Sequence, residues 1–571
     1  MRTRGLLVSL LIIWIFAVIF LSGCGKSDDA PLSSEKAITE YSLNGIDGTI
    51  NETGKTIAVT VPSLTNIYSL VATFTTTGAG VKVGTAAQAS GVTANNFVSP
   101  LTYTVTAADG STTTYTVTVT VTRAWHHPAS LSDNISPNGQ NAILPTIAID
   151  GGGNPFTVEN KRNVAMDNQG NAIIVWTQSD GATSQIFKSE FRGGVWHHPS
   201  GLGDHISISG QNAGLPKVAM DDNGNAIIVW EQSNGANSQI FKSEYRNGTW
   251  TNPLSLDDNI SPDGQEAYFP QVAMDNNGNA LIVWAQSNGA NSQIFKSEYR
   301  SGTWTNPLSL DDNISPDGQN AAFPQVAMDD NGNAIIVWYQ SDGANSRIFK
   351  SEYRSGAWSY PDLTDGISPA GQNAGLPQLA MGNNGNAIIV WMQSDGANVQ
   401  IFKSEYRNSF WINPSDLSVH ISPDGQDAFL PQVAMDHNGN TVIVWFQSDG
   451  ANLQIFKSEY RNPSRVWVHP SSLSDNISPD GQNAGFPQVD INDSGNAIIV
   501  WTQYDGATDQ IFKSEYKNGT WTNPSGLADN ISPDGSPAIY PQAAMDDNGN
   551  AIIIWQQSDS ANWQIFKSEY R

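Results

Sequence analysis

The chain has 571 residues, a formal net charge of −26, only 14% charged side chains, 18 Trp and a single Cys. So acidic a chain is repelled by nucleic acid phosphates, and a lone thiol excludes an internal disulfide. The length exceeds one ordinary domain, and low charge with 51 Gly favours short strands and polar loops over helices.

At the start, Arg2 and Arg4 precede an apolar run over residues 6–21, and the run closes on Leu21-Ser22-Gly23-Cys24. A basic start, a short greasy stretch and small closing residues describe a secretory signal. The alternative is an uncleaved transmembrane anchor, for which residues 6–21 are marginal in length. The closing tetrapeptide resembles the bacterial lipobox, where cleavage precedes the cysteine and its thiol carries a diacylglycerol. That resemblance implies a lipoprotein signal peptide over residues 1–23, lipidation of Cys24 and a membrane as partner through the acyl chains. It places the protein in the bacterial cell envelope. Gly25, rather than Asp, after the cysteine implies the outer membrane or cell surface in a Gram-negative cell. Residues 24–36 are polar and read as a lipidated tether.

Residues 37–123 alternate apolar and polar side chains, as in the Thr-rich runs at residues 56–61, 101–106 and 114–122. Asp47-Gly48 and Asp109-Gly110 supply turns. Several alternating strands in so short a segment predict a β-sandwich. The run at residues 103–110 followed by Tyr115-Thr-Val-Thr-Val119 resembles bacterial Ig-like domains of surface lipoproteins, which implies a spacer role.

From residue 124 the chain repeats itself. One marker is Met-Asp-x-x-Gly-Asn-Ala leading to Trp176, Trp230, Trp284, Trp338, Trp391, Trp445, Trp501 and Trp555, spaced 53 to 56 residues apart. A second is a Trp followed closely by Pro, at Trp125, Trp196, Trp250, Trp304, Trp358, Trp411, Trp467 and Trp521. A tryptophan recurring at fixed offsets is first a packing residue. One copy reads as strands over residues 270–274, 279–284, 293–300 and 303–308, with turns at Asp275-Asn-Asn-Gly278, Ser287-Asn-Gly289 and Ser301-Gly302. Four antiparallel strands in such a unit make one propeller blade. The last copy stops after its third strand, and residues 125–128 form a fourth strand with no preceding three. Joined, the two orphans complete a blade. The predicted fold is all-β: a small Ig-like β-sandwich followed by an eight-bladed β-propeller of four-stranded blades over residues 124–571, closed by the N-terminal strand. An open solenoid would normally carry atypical caps.

The repeats resemble sialidase-like propellers and their Asp-box turns, with Ala or Val in place of the box's Ser and a longer spacing to Trp, as in Asp221-Asp222-Asn223-Gly224 and then Trp230. The resemblance implies the fold rather than the activity. The sialidase Arg-Ile-Pro signature is absent, and a near-perfect repeat does not readily build one acid–base pair. No catalytic residue is assigned. The Asp-x-x-Gly loops are oxygen-rich, so calcium is the one conceivable cofactor; the plainer expectation is a tight turn with Asn and Gly in left-handed conformation and no metal. The pairs His126-His127 and His197-His198 replace Thr-Asn of other copies and read as ordinary variation. Ile294, Glu298, Gly302 and Trp304 fit a loose pattern of fucose-binding propeller lectins, which implies sugar contacts from Glu298, Arg300 and Trp304. The plainer reading pairs Lys296 and Glu298 with neighbouring blades. An extra segment near residues 146–163, with a strand-like start at Pro145-Thr-Ile-Ala-Ile-Asp150, is expected to be a solvent loop.

The longest loops link strand two to strand three and strand four to the next copy, and both lie at one end of the blade. Loops on a rigid scaffold commonly carry function. The ligand is therefore expected there, at Gln319 and Asn320 and their equivalents Gln211, Asn212, Gln372, Asn373, Gln482 and Asn483, unless these only satisfy backbone groups. The expected function is that of a surface-exposed binding or adhesion lipoprotein with a glycan or protein ligand. The alternatives are a sialidase-like glycoside hydrolase and a purely structural or protein-interaction envelope module.

Overall fold

The computed structural model describes residues 31–63, 65–143, 163–461 and 464–571. The predicted signal, Cys24 and nearly all of the extra segment lie outside the described residues. The described chain is all-β and divides into two compact units, Met1–Val61 with Ser69–Thr120, and Pro62–Tyr68 with Val121–Arg571.

The first unit holds two sheets. One orders Ile46–Asp47, Ile38–Leu43, Leu70–Thr76 and Ala94–Asn95; the other orders Thr49–Asn51, Thr56–Val61, Thr112–Val121, Leu101–Thr106, Gly80–Val83 and Ala86–Ala87. The period-two pattern explains their packing. In Thr56–Val61 the residues Ile57, Val59 and Val61 are buried while the threonines and Ala58 face water. The Tyr41 ring of one sheet meets the Tyr103 ring of the other edge-on at 5.5 Å, so the two inner faces share one core.

Among the described residues, the second unit is a succession of eight antiparallel sheets. The sheet of Trp284 is typical: Ala267–Met274, Ala280–Ser287, Ser292–Arg300 and Thr303–Thr305, paired in that order. Its first strand begins three residues earlier than the sequence suggests, and its fourth is three residues long. The reason for the early start is Pro270. Proline has no N–H for the ladder, so the strand continues through it by a bulge, with the register shifting between Tyr268 and Gln271.

Trp284 is fully buried and stacks on Phe295 at 6.1 Å. A buried indole N–H needs an acceptor, and Gln286, two residues on, supplies its Oε1 at 3.0 Å. Gln286 Nε2 in turn donates to the carbonyls of Pro262 and Gln265 in the preceding connection. The Trp-x-Gln pattern thus ties the core to the loop above it.

Each hydrophobic cluster of this unit draws on two consecutive sheets; Leu281, Val283 and Ile294, for instance, pack with Ile336, Trp338 and Phe349. A stack of eight sheets with free ends would have seven such interfaces. Here an eighth joins Ile174, Trp176 and Phe187 of the first sheet to Ile552, Ile554 and Ile565 of the last, so the sheets form a ring. The ring is sewn by strand exchange: Trp125–His126 pairs with Trp563–Tyr570 as the fourth strand of the last sheet. The first strands touch one another all round, including the first sheet's with the last's, and are therefore innermost.

In the first sheet the inner strand is split into Ala142–Ile143 and Val164–Met166, both paired with Ala172–Ser179. Asn163, the last residue of the expected solvent loop, is buried. It donates through Nδ2 to the carbonyls of Pro216 and Val175. It belongs to the ladder because it stands where the other inner strands carry Gln or Lys.

Candidate functional site

Eight near-identical copies in one chain separate what the scaffold requires from what it tolerates. In the inner two strands, Ala267, Pro270, Trp284 and Gln286 have counterparts of the same type around the ring. Between them lie positions that vary widely in size and polarity. These are cross-strand partners: Gly214 with Glu231, Tyr268 with Ala285, Ala322 with Tyr339, Gly375 with Met392, Phe429 with Phe446, Gly485 with Thr502 and Ile539 with Gln556. In most pairs a small residue on one strand faces a larger one on the other, which keeps the packed volume.

Beside each pair stands the bulge residue before proline. Leu215, Phe269, Phe323, Leu376, Leu430, Phe486 and Tyr540 all have φ between 50° and 59°. Bulky side chains rarely adopt this left-handed region, at a cost of about 1–3 kcal/mol each. In two copies the bulged N–H is met from the preceding sheet, by Met392 Sδ for Leu430 at 3.1 Å and by Thr502 Oγ1 for Tyr540 at 3.2 Å. These residues form a collar whose aromatic members meet along two arcs. Phe269 stacks on Phe323 at 4.5 Å, Phe323 on Tyr339 at 5.7 Å, and Phe486 meets Tyr540 edge-on at 5.0 Å. Inner strands begin, and second strands end, at the end of the sheet that carries the long connections, so the collar lies at that end.

One part of the collar breaks the repeat. Of the ten described glutamates in this unit, eight are the recurrent third-strand residue; the other two are Glu231 and Glu266. Both approach Tyr268, which is 39% exposed. Partial burial, then the Glu266 and Glu231 carboxylates, push its phenol up to about 12, so it stays a neutral donor. An aromatic face beside carboxylates suits a polyhydroxylated ligand, with stacking on C–H surfaces and acceptors for hydroxyls. The sequence offered a signal for this site in the two glutamates that stand off the repeat.

The residues expected to contact sugar are placed differently. Glu298 lies on the outer side of its sheet and receives hydrogen bonds from Lys296, from Arg300 Nε at 3.1 Å and from Trp358 Nε1 of the next sheet at 2.6 Å. Arg300 also donates to the Gly332 carbonyl and lies over the Tyr353 ring at 3.9 Å. Trp304 donates to Glu244 at 2.7 Å and carries Lys242 over its ring. These three side chains are thus engaged with neighbouring sheets.

The Gln–Asn pairs lie beside the turns of the preceding sheet. Asn320 Oδ1 accepts from Ser292 N–H at 2.9 Å, and Asn212, Asn373 and Asn483 repeat this with Ser184, Ser346 and Leu453. The Gln319 carbonyl accepts from the buried Gln293 and Gln340; the carbonyls of Gln211, Gln372 and Gln482 are held similarly. All four glutamine side chains are half-buried and the asparagines exposed.

At the opposite end, Asp221 Oδ1 accepts from the N–H groups of Asn223 and Asn225, and its Oδ2 from Asn225 Nδ2. Only Gly224 in this turn is left-handed, with φ 80°, whereas the sequence suggests Asn as well. The carboxylate itself shapes the turn, so Asn need not strain.

Residues 38–119 match the family described as SGBP, N-terminal. The match covers the sheets of the first unit. A search of the curated proteins gave no match. Among solved structures, the chain is similar to an ulvan lyase of polysaccharide lyase family PL25, at 10% identity over 65% of this chain and 92% of that chain, with a TM-score of 0.42. It is similar to the GH93 α-L-arabinofuranosidase of Fusarium graminearum at 14% identity over 55% and 96%, with a TM-score of 0.32. The α-L-arabinanase of Penicillium chrysogenum follows at 12% identity over 53% and 92%, with a TM-score of 0.31. These likenesses carry no inference about activity.

Proposed function

We propose that the protein is a membrane-anchored, surface-exposed glycan-binding lipoprotein, with an eight-bladed β-propeller head preceded by an Ig-like β-sandwich. The match over residues 38–119 supports surface glycan binding, since SGBP denotes a surface glycan-binding protein. The single observation that carries the reading is the exposed Tyr268 flanked by Glu231 and Glu266 on the collar. Gln211, Asn212, Gln319, Asn320, Gln372, Asn373, Gln482 and Asn483 are proposed as rim contacts on the same end of the ring. Glu298, Arg300 and Trp304 are proposed contacts only for a ligand reaching the outer strands. Cys24 is the proposed anchor; no helix among the described residues is long and apolar enough to cross a membrane.

The test is a glycan array with residues 35–571, repeated with Tyr268→Ala. Binding that Tyr268→Ala abolishes, with unchanged thermal stability, supports the collar. An array with no binder sinks the glycan reading. The two off-pattern carboxylates also favour a second reading, a glycoside hydrolase. Release of reducing ends from a bound glycan, lost in both Glu231→Gln and Glu266→Gln, would establish that one instead.

A further inference from the structure

In the connection after the fifth sheet, one loop position carries a histidine in place of the usual asparagine. The residue before the buried Ile of this loop is Asn in five copies, at Asn134, Asn259, Asn313, Asn476 and Asn530. There the amide nitrogen donates both to the carbonyl two residues on and to an acidic or amide oxygen four residues on, as Asn259 does to Ser261 and to Asp263 at 3.1 Å. An amide nitrogen only donates, so these copies offer no cation ligand at that atom. In the fifth connection the residue is His420, whose Nδ1 lies 3.1 Å from the Ser422 carbonyl. A proton on Nδ1, held by that carbonyl, leaves the Nε2 lone pair facing outward, the arrangement that orients metal-binding imidazoles.

Nε2 faces Asp424, with Oδ1 at 3.3 Å. That is long for a charged hydrogen bond, for which about 2.7–2.9 Å is usual. It equals the separation of two ligands on a tetrahedral zinc, about 3.3 Å for bonds of about 2.0–2.1 Å. Asp395, from the turn between the second and third strands of the fifth sheet, completes the set. Its Oδ1 accepts from Ala397 and Asn398 N–H, which fixes the carboxylate. One ligand atom from each of Asp395, His420 and Asp424 lies within 4.8 Å of the others. The three line an open groove with Asp416, so an ion has a path in and a further negative charge nearby. The other histidine at this loop position, His205, has Ser209 where Asp424 stands, so the set of three occurs once.

We propose that Asp395, His420 and Asp424 form a zinc-type divalent metal site with an open coordination position. One nitrogen and two carboxylate oxygens suit zinc or a similar transition ion better than calcium, which prefers oxygen alone.

The test is isothermal titration of the full-length chain in detergent, without an affinity tag, with zinc chloride. His420→Asn installs the residue of five sister loops and preserves the fold. The expected result is one site lost in His420→Asn and weakened at least tenfold in Asp424→Ser. Zinc should raise the thermal midpoint of the wild type and leave that of His420→Asn unmoved. Equal zinc uptake by wild type and His420→Asn, or no uptake by either, would overturn the proposal and leave His420 as a hydrogen-bonding substitute for Asn.

Discussion

The backbone N–H of Asp547 donates to Oδ1 of Asn168 at 2.9 Å, joining turns of the last and first sheets across 379 residues. The same bond runs from Asp222 to Asn276, from Asn276 to Asp330 and from Asp330 to Asn383. One position in the Asp-x-x-Gly turn therefore links neighbouring sheets and also joins the last sheet to the first.

Closure gives the first prediction. Trp125–His126 supplies the last sheet's outer strand and places Trp125 Nε1 3.0 Å from Glu515. Deleting residues 1–131 should bare the edge of Trp563–Tyr570 and cause aggregation, whereas deleting 1–122 leaves the strand in place. Size-exclusion chromatography and thermal melts distinguish them. Identical behaviour of the two truncations would contradict the ring.

Acid sensitivity gives the second. His127, His198 and His469 stack on Trp125, Trp196 and Trp467. Ser568, Ser189 and Ser458 hydrogen-bond their Nδ1 atoms. Burial, then the charges of Lys513, Lys567 and Lys403, push each imidazole down to about 4. The folded state keeps them neutral where the unfolded chain takes up protons. Their contribution is therefore whole above about pH 6.5 and is lost as pH falls toward 4. Sister copies carry Asn252, Asn306, Asn413 and Asn523 as acceptors at this place. Replacing all three histidines by Asn should flatten the fall in thermal midpoint between these limits. An unchanged profile would show that other groups govern it.

A third concerns the bonds between sheets. Trp358→Phe keeps a ring beneath Lys296 but removes the N–H donated to Glu298. A hydrogen bond to a half-buried charge contributes about 1.5–3 kcal/mol, so the urea midpoint should fall accordingly. No change would mean that the Lys296 and Arg300 contacts suffice for Glu298.

The fourth separates two adjacent residues. Asn320 uses Oδ1 for Ser292 N–H, while Gln319 holds the loop through its carbonyl. Asn320→Ala should cost about 0.5–1.5 kcal/mol. Gln319→Ala should stay within about 0.5 kcal/mol. Asn320→Asp should restore stability, because Asp427 already serves Val399 N–H at 2.7 Å in a sister loop. Equal losses at Gln319 and Asn320 in denaturant melts would refute the distinction.

Repeat length, sheet order and ring closure were legible because Trp284 and its counterparts recur at nearly constant spacing and because the last copy has three strands while residues 125–128 stand as a fourth strand without the preceding three. The collar was not. Tyr268 and Phe269 precede a proline and read as loop, since the bulge that carries the strand through Pro270 depends on pairing with Ala280–Ser287. The partnership of Glu298 with Trp358 was equally hidden, because it crosses from one sheet to the next. Asp395, His420 and Asp424 come together only when two loops fold side by side.

The ring of eight interfaces also constrains how such a chain can change. A stack with free ends can gain or lose a copy at its terminus and disturb one neighbour. A closed ring has no terminus, so adding or deleting a copy alters the angle at every interface at once. A change of copy number therefore strains the whole ring, while single substitutions at the collar leave the angles untouched. Within this chain the copies accordingly differ from one another at the mouth of the ring, as Gly214, Tyr268 and Phe429 do, while each keeps the Trp and Gln of its core.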